Sequence, residues 1–315
     1  MSNELQNALN ALGLGPVSGL RRLSGGASQE TWAFEAGGRP LILRRKPDGF
    51  GGSGNAIGLE KEAALIQAAQ RQGAPVPPVV YVCKPGDGLG EAYVMDRVEG
   101  ETLGRRIVRD DAFAGVRPRL AHQCGEVLAR IHATPLGGLP ELAVSDAASE
   151  LEKYEAIYRS VGDRRPIFEA AFRWLKDRAP PLETPVLVHG DFRNGNLMID
   201  PERGLAAVLD WELAHLGDPA EDLGWICVNS WRFGGDRPVG GFGDYEDLLA
   251  GHGGDTPLER VLYWQTLGSL KWGVMCLIMY TAYASGADAS VERAMIGRRA
   301  SETEIDLIAL LERAA

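Results

Sequence analysis

The sequence predicts an α+β protein with two lobes, a small antiparallel β-sheet lobe that contains one helix and a larger, mainly helical lobe. In the first third of the 315 residues, short segments of alternating apolar residues are separated by glycine-rich turns. From Thr102 onward, apolar residues recur at helical spacing, and strand-like apolar runs interrupt this pattern around residues 186–210. We therefore expect residues 1–97 and residues 98–315 to form the two lobes, with a cleft between them.

The first lobe is predicted to contain two hairpins in series, one helix and two further strands. Its strand-like segments are SGLRRLSGG, ETWAFEAGG and RPLILRRK. The segment AIGLEKEAALIQAAQRQG is rich in Ala, Leu and Glu, and Gly73 and Pro75 follow it, which is typical of a helix and its end. VPPVVYVCK and EAYVMDRV then indicate two strands joined by the turn sequence PGDG.

The second lobe is predicted from helical segments and two strand-like runs. RPRLAHQCGEVLARIHA, LEKYEAIYRS and IFEAAFRWLKD carry apolar residues at helical spacing. The runs VLVHGD and AAVLD are apolar, and each of them ends in an aspartate. In LGDPAEDLGW, Asp218 can cap a helix, Pro219 suits the first helical position and Glu221 stands at the third, so a helix is predicted to begin there.

Composition is that of an ordinary globular protein, with 45% hydrophobic and 24% charged residues. Acidic residues outnumber basic ones by 43 to 33, which argues against a nucleic-acid partner. The four cysteines form no CxxC pair and the first residues carry no secretory signal pattern, so we expect a cytoplasmic protein. The uncharged residues 272–286 are too few for a membrane span and predict a buried helix. We expect a monomer or homodimer.

The stretch HGDFRNGN, at residues 189–196, concentrates reactive side chains between two apolar runs. Because Asp191 and Asp210 each follow such a run, we expect both carboxylates at the same end of their strands. With the amide oxygen of Asn196 they form a set of oxygen ligands that suits Mg²⁺ and phosphate. Phosphoryl transfer needs a base, metal ligands and a cation. Asp191 could accept the hydroxyl proton, Asn196 and Asp210 could hold the metal, and Arg193 could reach the γ-phosphate.

Two other interpretations of this stretch account for less of the sequence. A short Asp/Asn loop between strands is often only a turn, but HGD, four residues and Asn196, followed fourteen residues later by Asp210, is far more specific. A hydrolase that uses Asp191 as a covalent nucleophile accounts for the acids but not for the spacing of Asn196 or the glycine-rich first lobe. His189 is expected to be buried and to organise the loop, and the other histidines lack the spacing of a zinc site.

VHGDFRNGNLMID, followed by VLDWELAHLGDPAEDLGW, resembles the motifs of the aminoglycoside phosphotransferase and choline kinase group of eukaryotic-like kinases. It is more similar to the branch that is fused to acyl-CoA dehydrogenases. The resemblance covers about residues 15–285 and implies a bilobal protein-kinase-like fold, ATP as donor with Mg²⁺, and a small-molecule hydroxyl as acceptor. It implies that Asp191 is the catalytic aspartate, that Asn196 and Asp210 bind the metal, and that Asp222 braces the catalytic loop.

The resemblance also implies a nucleotide site in the first lobe. LSGGASQETW is similar to the SGGxSN turn of the family, with Gln29 in place of the usual Asn, and this assigns Gly25, Gly26 and Ser28 to ATP binding. YVMDRVEGETL resembles the hinge, where backbone groups from Asp96 to Val98 would bind the adenine edge.

In this group a lysine on the third strand pairs with a helix glutamate and holds phosphates. PLILRRKP places Arg44 where the family usually has this lysine. Strand alternation puts Ile42, Arg44 and Lys46 on one face, so Arg44 is the first candidate and Lys46 the second. Glu62 is the expected partner, with Glu60 as the alternative. A basic strand end can also be only a solvated edge.

The acceptor pocket is expected between the catalytic loop and the C-terminal helices, where WICVNSWRFGG and ERVLYWQTLGSLKWGVM would form its walls unless their aromatic residues are core. The dehydrogenase-fused branch implies a hydroxyacyl-CoA-type acceptor. Its anionic group could meet arginines, of which the candidates are Arg232, Arg237, Arg298 and Arg299. An aminoglycoside would need carboxylates, and EDLLAGHGGD is the nearby acidic cluster. An antibiotic kinase and a nucleotide-binding module without transfer activity remain alternatives.

Overall fold

A computed structural model describes residues 2–23, 29–46, 56–288 and 290–313 of the protein. The first part of the chain is built around one antiparallel sheet of five strands in the order β1-β2-β3-β5-β4. Its elements are α1 (Ser2–Ala11), β1 (Val17–Arg22), β2 (Glu30–Ala36), β3 (Arg39–Arg45), α2 (Leu59–Arg71), β4 (Val79–Val82) and β5 (Ala92–Asp96). The predicted strands and the predicted helix are confirmed, and helix α1 is an addition to them.

The two faces of this sheet are covered by different helices. Phe34, Leu41 and Leu43 are buried in one cluster with Leu5 and Leu9 of helix α1. This distribution follows from the strand period of two, since residues 41 and 43 of β3 point away from residues 42 and 44.

Ile42 shows the opposite face of the sheet, because it is buried in a second cluster with Leu59, Ala63 and Ile66 of helix α2. Arg44 is two residues further along β3 and shares this face. The face that meets helix α2 is therefore the one that carries the strand cation, as the alternation predicted.

The rest of the chain is mainly helical. Its helices are α3 (Gly104–Arg109), α4 (Arg117–His132), α5 (Ala147–Val161), α6 (Pro166–Arg178), α7 (Pro219–Trp225), α8 (Tyr245–His252), α9 (Leu258–Ala284), α10 (Val291–Gly297) and α11 (Ala300–Arg313). Four short strands form two separate two-stranded ribbons, β6–β9 and β7–β8. These strands are β6 (Val186–Val188), β7 (Leu197–Asp200), β8 (Gly204–Val208) and β9 (His215–Gly217).

Helix α9 is the central helix of this part and packs against α5, α6, α7, α10 and α11. The buried helix predicted for residues 272–286 is buried as far as Leu277, whereas Tyr280 and Tyr283 near its end are exposed. Among the described residues, no helix has both the length and the apolar character that crossing a bilayer requires. The four cysteines are free thiols.

Candidate active site

The loop between β6 and β7 carries Asp191, and the carboxylate of Asp222 fixes this loop from helix α7. Oδ2 of Asp222 accepts a hydrogen bond from the backbone N–H of His189 at 2.8 Å, and Oδ1 accepts one from Gly190 at 3.0 Å. Gly190 has φ of 79°, and a Cβ there would lie 2.4 Å from the carbonyl oxygen of Leu213. The loop therefore depends on a glycine at this turn and on a buried carboxylate behind it, as the resemblance implied for Asp222.

His189 joins this loop to the segment that precedes Asp210. Its Nδ1 accepts a hydrogen bond from the backbone N–H of Asp191 at 3.2 Å. The proton of the neutral ring must then be on Nε2, which donates to the carbonyl oxygen of Leu209 at 3.1 Å. Burial lowers the pKa of His189 from its ordinary value, which favours this neutral form. The prediction that His189 is buried and organises the loop is confirmed.

The carboxylate of Asp191 is held by three side chains. Trp225 Nε1 donates to Oδ1 at 2.7 Å, and Asn196 Nδ2 donates to Oδ2 at 2.6 Å. Arg193 Nε lies 3.0 Å from Oδ1 and 3.2 Å from Oδ2, so it bridges the two oxygens. The guanidinium carbon of Arg193 lies 4.6 Å from the ring centroid of Trp231. Arg193 is thus engaged by the carboxylate and by an aromatic face.

Asp210 follows β8 and has φ of 65°, a left-handed conformation that aspartate adopts more readily than most non-glycine residues. The backbone N–H of Leu209 donates to the carbonyl oxygen of Asn196 at 2.9 Å. This bond lies within the β7–β8 ribbon, and the His189–Leu209 bond joins that ribbon to β6, so Asp191, Asn196 and Asp210 converge although β6 and β8 belong to different ribbons. This arrangement agrees with the expectation that the two apolar runs bring Asp191 and Asp210 to the same place.

Arg44 links the five-stranded sheet to this convergence. Its Nη2 donates to Oδ1 of Asp210 at 3.0 Å and lies 3.4 Å from Oε1 of Glu62. Glu62 is 1% exposed and also accepts a hydrogen bond from the hydroxyl of Tyr93 at 2.9 Å. Burial opposes the charge of Arg44, but the carboxylates of Glu62 and Asp210 outweigh this effect and raise the pKa of the guanidinium.

Of the alternatives that the sequence left open, the structure places the first candidates together. Arg44 contacts Glu62, whereas Lys46 stands one residue beyond the end of β3 and Glu60 is exposed at the first turn of α2. Arg44 Nε also donates to Oε1 of Gln29 at 3.0 Å. The two residues that depart from the family pattern, Gln29 and Arg44, therefore contact each other.

A cavity of about 570 Å³ opens beside Arg44, Asn196 and Asp210. The hinge segment that includes Asp96 and Val98 also lines this cavity. Asp191 and Arg193 are not among its lining residues in the described part of the chain. Gly25, Gly26 and Ser28, which the resemblance assigned to ATP binding, lie outside the described residues.

In the predicted hinge, residues 96–98, two of the three backbone N–H groups are bound to carbonyl oxygens of the described residues. The N–H of Asp96 donates to the carbonyl oxygen of Pro78 at 2.9 Å, and the N–H of Arg97 donates to Pro40 at 3.1 Å. Within the described ranges, the N–H of Val98 makes no hydrogen bond of this kind. The carboxylate of Asp96 is bound to Arg39 at 2.6 Å, so the side chain of Asp96 is directed to a protein partner.

The residues present fit a magnesium ion that is bound partly by a substrate. The described residues contain no group of three or more His, Cys, Asp or Glu side chains that could enclose a metal by themselves. The amide nitrogen of Asn196 is turned to Asp191, which leaves its amide oxygen on the other side of the group. An amide oxygen and the Asp210 carboxylate are hard ligands, and Mg²⁺ commonly combines one or two such ligands with phosphate and water.

The aromatic residues of the expected acceptor walls are core residues. Trp225 is 7% exposed, Trp231 5% and Trp272 9%. The candidate arginines have protein partners: Arg232 with the carbonyl oxygen of Cys227, Arg237 with Asp244, Arg298 with the sulfur of Met295 and Arg299 with Glu302. The acidic cluster lies on helix α8, which packs against α4 and exposes Glu246 and Asp247. The sequence places Trp225 either in an acceptor wall or in the core, and neither alternative predicts its hydrogen bond with Asp191.

A model of the phosphotransferase enzyme family matches residues 19–252 of the chain. The chain belongs to the phosphotransferase enzyme family. This membership confirms the predicted enzyme class and the recognised resemblance at the level of the family.

Curated relatives of this phosphotransferase-family chain include two acyl-CoA dehydrogenase family members. Acyl-CoA dehydrogenase family member 10 from Mus musculus is 30% identical over 236 residues, which cover 71% of this chain and 21% of that protein. Acyl-CoA dehydrogenase family member 11 from Gallus gallus is 30% identical over 217 residues, covering 65% of this chain and 27% of that protein. The chain thus spans about a quarter or less of these relatives. Viomycin phosphotransferase from Streptomyces vinaceus is 28% identical over 195 residues, 56% of this chain and 64% of that protein.

Solved structures share the fold of this chain. A Ralstonia eutropha protein assigned to the aminoglycoside phosphotransferases has a TM-score of 0.78 at 21% identity. The likeness covers 99% of this chain and 98% of that chain. A choline/ethanolamine kinase family protein from Mesorhizobium loti has a TM-score of 0.64 at 22% identity, with 99% of this chain and 95% of that chain covered. The predicted α+β, bilobal kinase-like fold is confirmed by these likenesses.

Proposed function

We propose that the protein is an ATP-dependent phosphotransferase that transfers the γ-phosphate to a hydroxyl group of a small molecule. The convergence of Asp191, Asn196 and Asp210 beside the Arg44–Glu62 pair carries this proposal, because these groups meet next to a cavity of about 570 Å³. In this proposal residues 1–97 form the nucleotide-binding lobe, and residues 98–315 form the catalytic and acceptor-binding lobe. The four free thiols support a reducing compartment such as the cytoplasm.

Asp191 is the proposed catalytic base. The oxygen of the acceptor hydroxyl attacks the γ-phosphorus, the bond from that phosphorus to the bridging oxygen of ADP breaks, and the hydroxyl proton passes to Asp191. The hydrogen bonds from Trp225 and Asn196 fix the orientation of its carboxylate. A positioned base contributes about 10²- to 10⁴-fold to such a rate.

Asn196 and Asp210 are the proposed ligands of the magnesium ion. When bound, Mg²⁺ supplies positive charge to the β- and γ-phosphate oxygens. The observation that supports this assignment is that both residues line the cavity beside Arg44, while the amide nitrogen of Asn196 is occupied by Asp191.

Arg44, Glu62, Asp96 and Val98 are the proposed nucleotide-binding residues, together with Gly25, Gly26 and Ser28 from the undescribed turn. Glu62 holds the guanidinium of Arg44, whose Nη1 has no hydrogen-bond partner among the described residues and can donate to a phosphate oxygen. The unengaged N–H of Val98 can donate to the adenine edge.

Arg193 is proposed to offset the repulsion between the negative charges of the Asp191 carboxylate and the γ-phosphate. In the structure its guanidinium bridges the oxygens of Asp191 and stacks on Trp231. An arginine in this position can move from the carboxylate to a phosphate, which its guanidinium can bind through two N–H groups.

A hydroxyacyl-CoA-type metabolite is the preferred acceptor within this proposal. Two relatives named as acyl-CoA dehydrogenase family members support this choice. The matched region is only part of each relative, and the simplest expectation is that it acts on a substrate related to acyl-CoA. An aminoglycoside is less well supported, because Glu246 and Asp247 on α8 are exposed and, in the described part of the chain, do not line the cavity beside Asp210. Because the chain is also similar to viomycin phosphotransferase, an antibiotic acceptor is an alternative that the assay must include.

The test is transfer of labelled phosphate from γ-³²P-ATP to a panel of hydroxyl compounds that includes hydroxyacyl-CoA thioesters and aminoglycosides. We expect one class to be labelled by the wild-type protein and labelling to fall at least about 100-fold in Asp191→Asn. Equal labelling by wild type and Asp191→Asn would exclude Asp191 as the base.

Two other outcomes would replace the proposal. Binding of MgATP without labelling of any compound would favour a nucleotide-binding module. A phosphate group found covalently on Asp191 by mass spectrometry would favour the hydrolase with a covalent aspartate.

A further inference from the structure

We propose that Trp225 is a positioning residue that holds the catalytic carboxylate of Asp191 through its indole N–H. The inference rests on the proposed function, since it concerns the geometry of the proposed base. Trp225 is the last residue of helix α7, whose first turn also carries Asp222, so one short helix supports the loop at two points.

The contact between Trp225 and Asp191 differs from those of the neighbouring tryptophans. Trp225 Nε1 lies 2.7 Å from Oδ1 of Asp191, the short distance of a hydrogen bond to an ionised acceptor. Trp231 and Trp272 pack next to it with tilted rings: the ring centroids of Trp225 and Trp231 are 5.3 Å apart, and those of Trp231 and Trp272 are 4.9 Å apart. In the described part of the chain, the buried Nε1 atoms of Trp231 and Trp272 have no hydrogen-bond partner. Packing alone therefore does not require an acceptor for an indole N–H in this cluster.

The ring of Trp225 is fixed from several sides. A Cβ on Gly268 of helix α9 would lie 3.0 Å from its Cε3, so the indole occupies the space that this glycine leaves open. Lys271 places its ammonium 5.2 Å from the ring centroid and is itself bound to Glu150 at 3.4 Å. These contacts restrict rotation of the ring, whose N–H is directed at Asp191.

Of the three side chains that donate to Asp191, Trp225 is the one with no proposed role toward the metal or the phosphates. Arg193 is proposed to serve the γ-phosphate, and Asn196 is proposed to bind the metal, so both respond to the nucleotide. Trp225 is a core residue and touches neither ligand. Its N–H would then set the rotamer of the carboxylate at the moment of proton transfer, when a misplacement of about 1 Å can cost on the order of 100-fold in rate.

The test compares Trp225→Phe with the matched control Trp272→Phe. Both changes remove an indole N–H and similar volume from the same buried cluster, but the N–H of Trp272 has no partner. We expect kcat for acceptor-independent ATP hydrolysis to fall about 10- to 100-fold in Trp225→Phe, with the MgADP dissociation constant within about twofold of wild type. Trp272→Phe should keep kcat within about twofold. An unchanged kcat in Trp225→Phe, or an equal loss in both variants, would overturn the proposal.

A spectroscopic measurement reports the hydrogen bond without any turnover. The chain has seven tryptophans, and the indole ¹H–¹⁵N resonance of Trp225 is identified by its absence in Trp225→Phe. In Asp191→Ala we expect this resonance to move upfield, as the proton loses its acceptor, while the resonance of Trp272 stays in place. A Trp225 resonance that Asp191→Ala leaves unchanged would overturn the inference. If the wild-type protein neither labels any acceptor nor hydrolyses ATP, the proposed function fails, and this resonance alone then decides whether Trp225 holds Asp191.

Discussion

Arg44 shows at the scale of one residue how a departure from a family pattern can be accommodated. A lysine offers one ammonium, whereas the planar guanidinium of Arg44 reaches Gln29, Glu62 and Asp210 at once. The guanidinium of Arg44 donates to the side-chain carbonyl oxygen of Gln29, so these two departures from the family pattern interact directly. The missing strand lysine is therefore weak support for a protein without transfer activity.

Replacing Arg44 by Lys should weaken MgATP binding about tenfold, equivalent to about 1.4 kcal/mol. The charge is kept, but the simultaneous contacts with Gln29 and Asp210 are lost. Isothermal titration calorimetry with a non-hydrolysable ATP analogue measures the effect, and Lys46→Gln, which removes the second candidate cation, should stay within about twofold of wild type. Tighter binding or a gain of transfer activity in Arg44→Lys would contradict this role of Arg44.

The residues of the site differ in how far the sequence could predict them. Asp191 and Asp210 were predictable because each follows an apolar strand, and Arg44 because strand alternation puts it on the face of Ile42. Trp225 was not, because its helical position indicates burial and the direction of one indole N–H depends on packing against Gly268. The partners of Arg193 were also unpredictable, since a long side chain can reach a carboxylate or a phosphate.

At the scale of a single element, helix α7 supports the loop that carries Asp191. Pro219 and the Asp218 side chain, which accepts from the N–H of Ala220 at 2.9 Å, start the helix as predicted. Its first turn then directs Asp222, which is fully buried, at two backbone N–H groups of the loop. His132 also contacts this carboxylate at 3.2 Å.

Replacing Asp222 by Asn should destabilise the protein by about 2–4 kcal/mol. The shape is kept, but one of the two oxygens becomes an NH₂ group that must face a backbone N–H of His189 or Gly190. Urea unfolding measures the change. Asp247→Asn, an exposed replacement in the first turn of α8, is the matched control and should stay within about 0.5 kcal/mol of wild type. Equal stability of the two variants would show that Asp222 does not hold the loop.

Strand β9 and helix α7 are joined by a titratable pair. His215 Nε2 lies 3.1 Å from Oε2 of Glu221. Burial disfavours the charged imidazole, but Glu221 outweighs it and raises the pKa of His215 to about 9 from an ordinary 6.5. Since the folded-state pKa is the higher one, protonated His215 stabilises the fold fully below about pH 6.5, and this contribution is lost as the pH rises toward 9.

Wild-type protein should therefore lose more free energy of unfolding between pH 6.5 and 9.5 than His215→Gln, by on the order of 2 kcal/mol. Urea unfolding of both proteins at the two pH values gives this difference, and other titrating groups cancel in the comparison. Parallel decreases in wild type and His215→Gln would show that the pair does not contribute to stability.

Helices and strands with a clear periodicity of apolar residues were predictable from the sequence. Those that depend on partners distant in the sequence were not. Helix α2 and the β2–β3 hairpin follow from composition and turn residues. Helix α1 was missed because it carries few large apolar residues. Leu5 and Leu9 are buried because they pack against the sheet, which the sequence does not show. The pairing of β6 with β9 and of β7 with β8 was also unpredictable, since such short strands carry no register signal.

At the scale of the whole molecule, the sheet and the helical part are connected at the site itself. Arg44 reaches Asp210 from β3, Gln29 donates to Glu212 at 3.3 Å, and the N–H of Ile57 donates to the carbonyl oxygen of Glu212 at 3.1 Å. Polar contacts of this kind are exchangeable for contacts with a charged ligand. A nucleotide that enters the cavity would therefore bind to the groups that hold the two parts together.

The position of the metal tests the central claim most directly. A crystal structure of the protein with AMP-PNP and Mn²⁺, with an anomalous difference map recorded at the manganese edge, locates the ion without reference to the protein model. We predict a peak within coordination distance of the amide oxygen of Asn196 and the carboxylate of Asp210, beneath the phosphates. A manganese peak away from both residues, in a crystal that contains the nucleotide, would contradict the account.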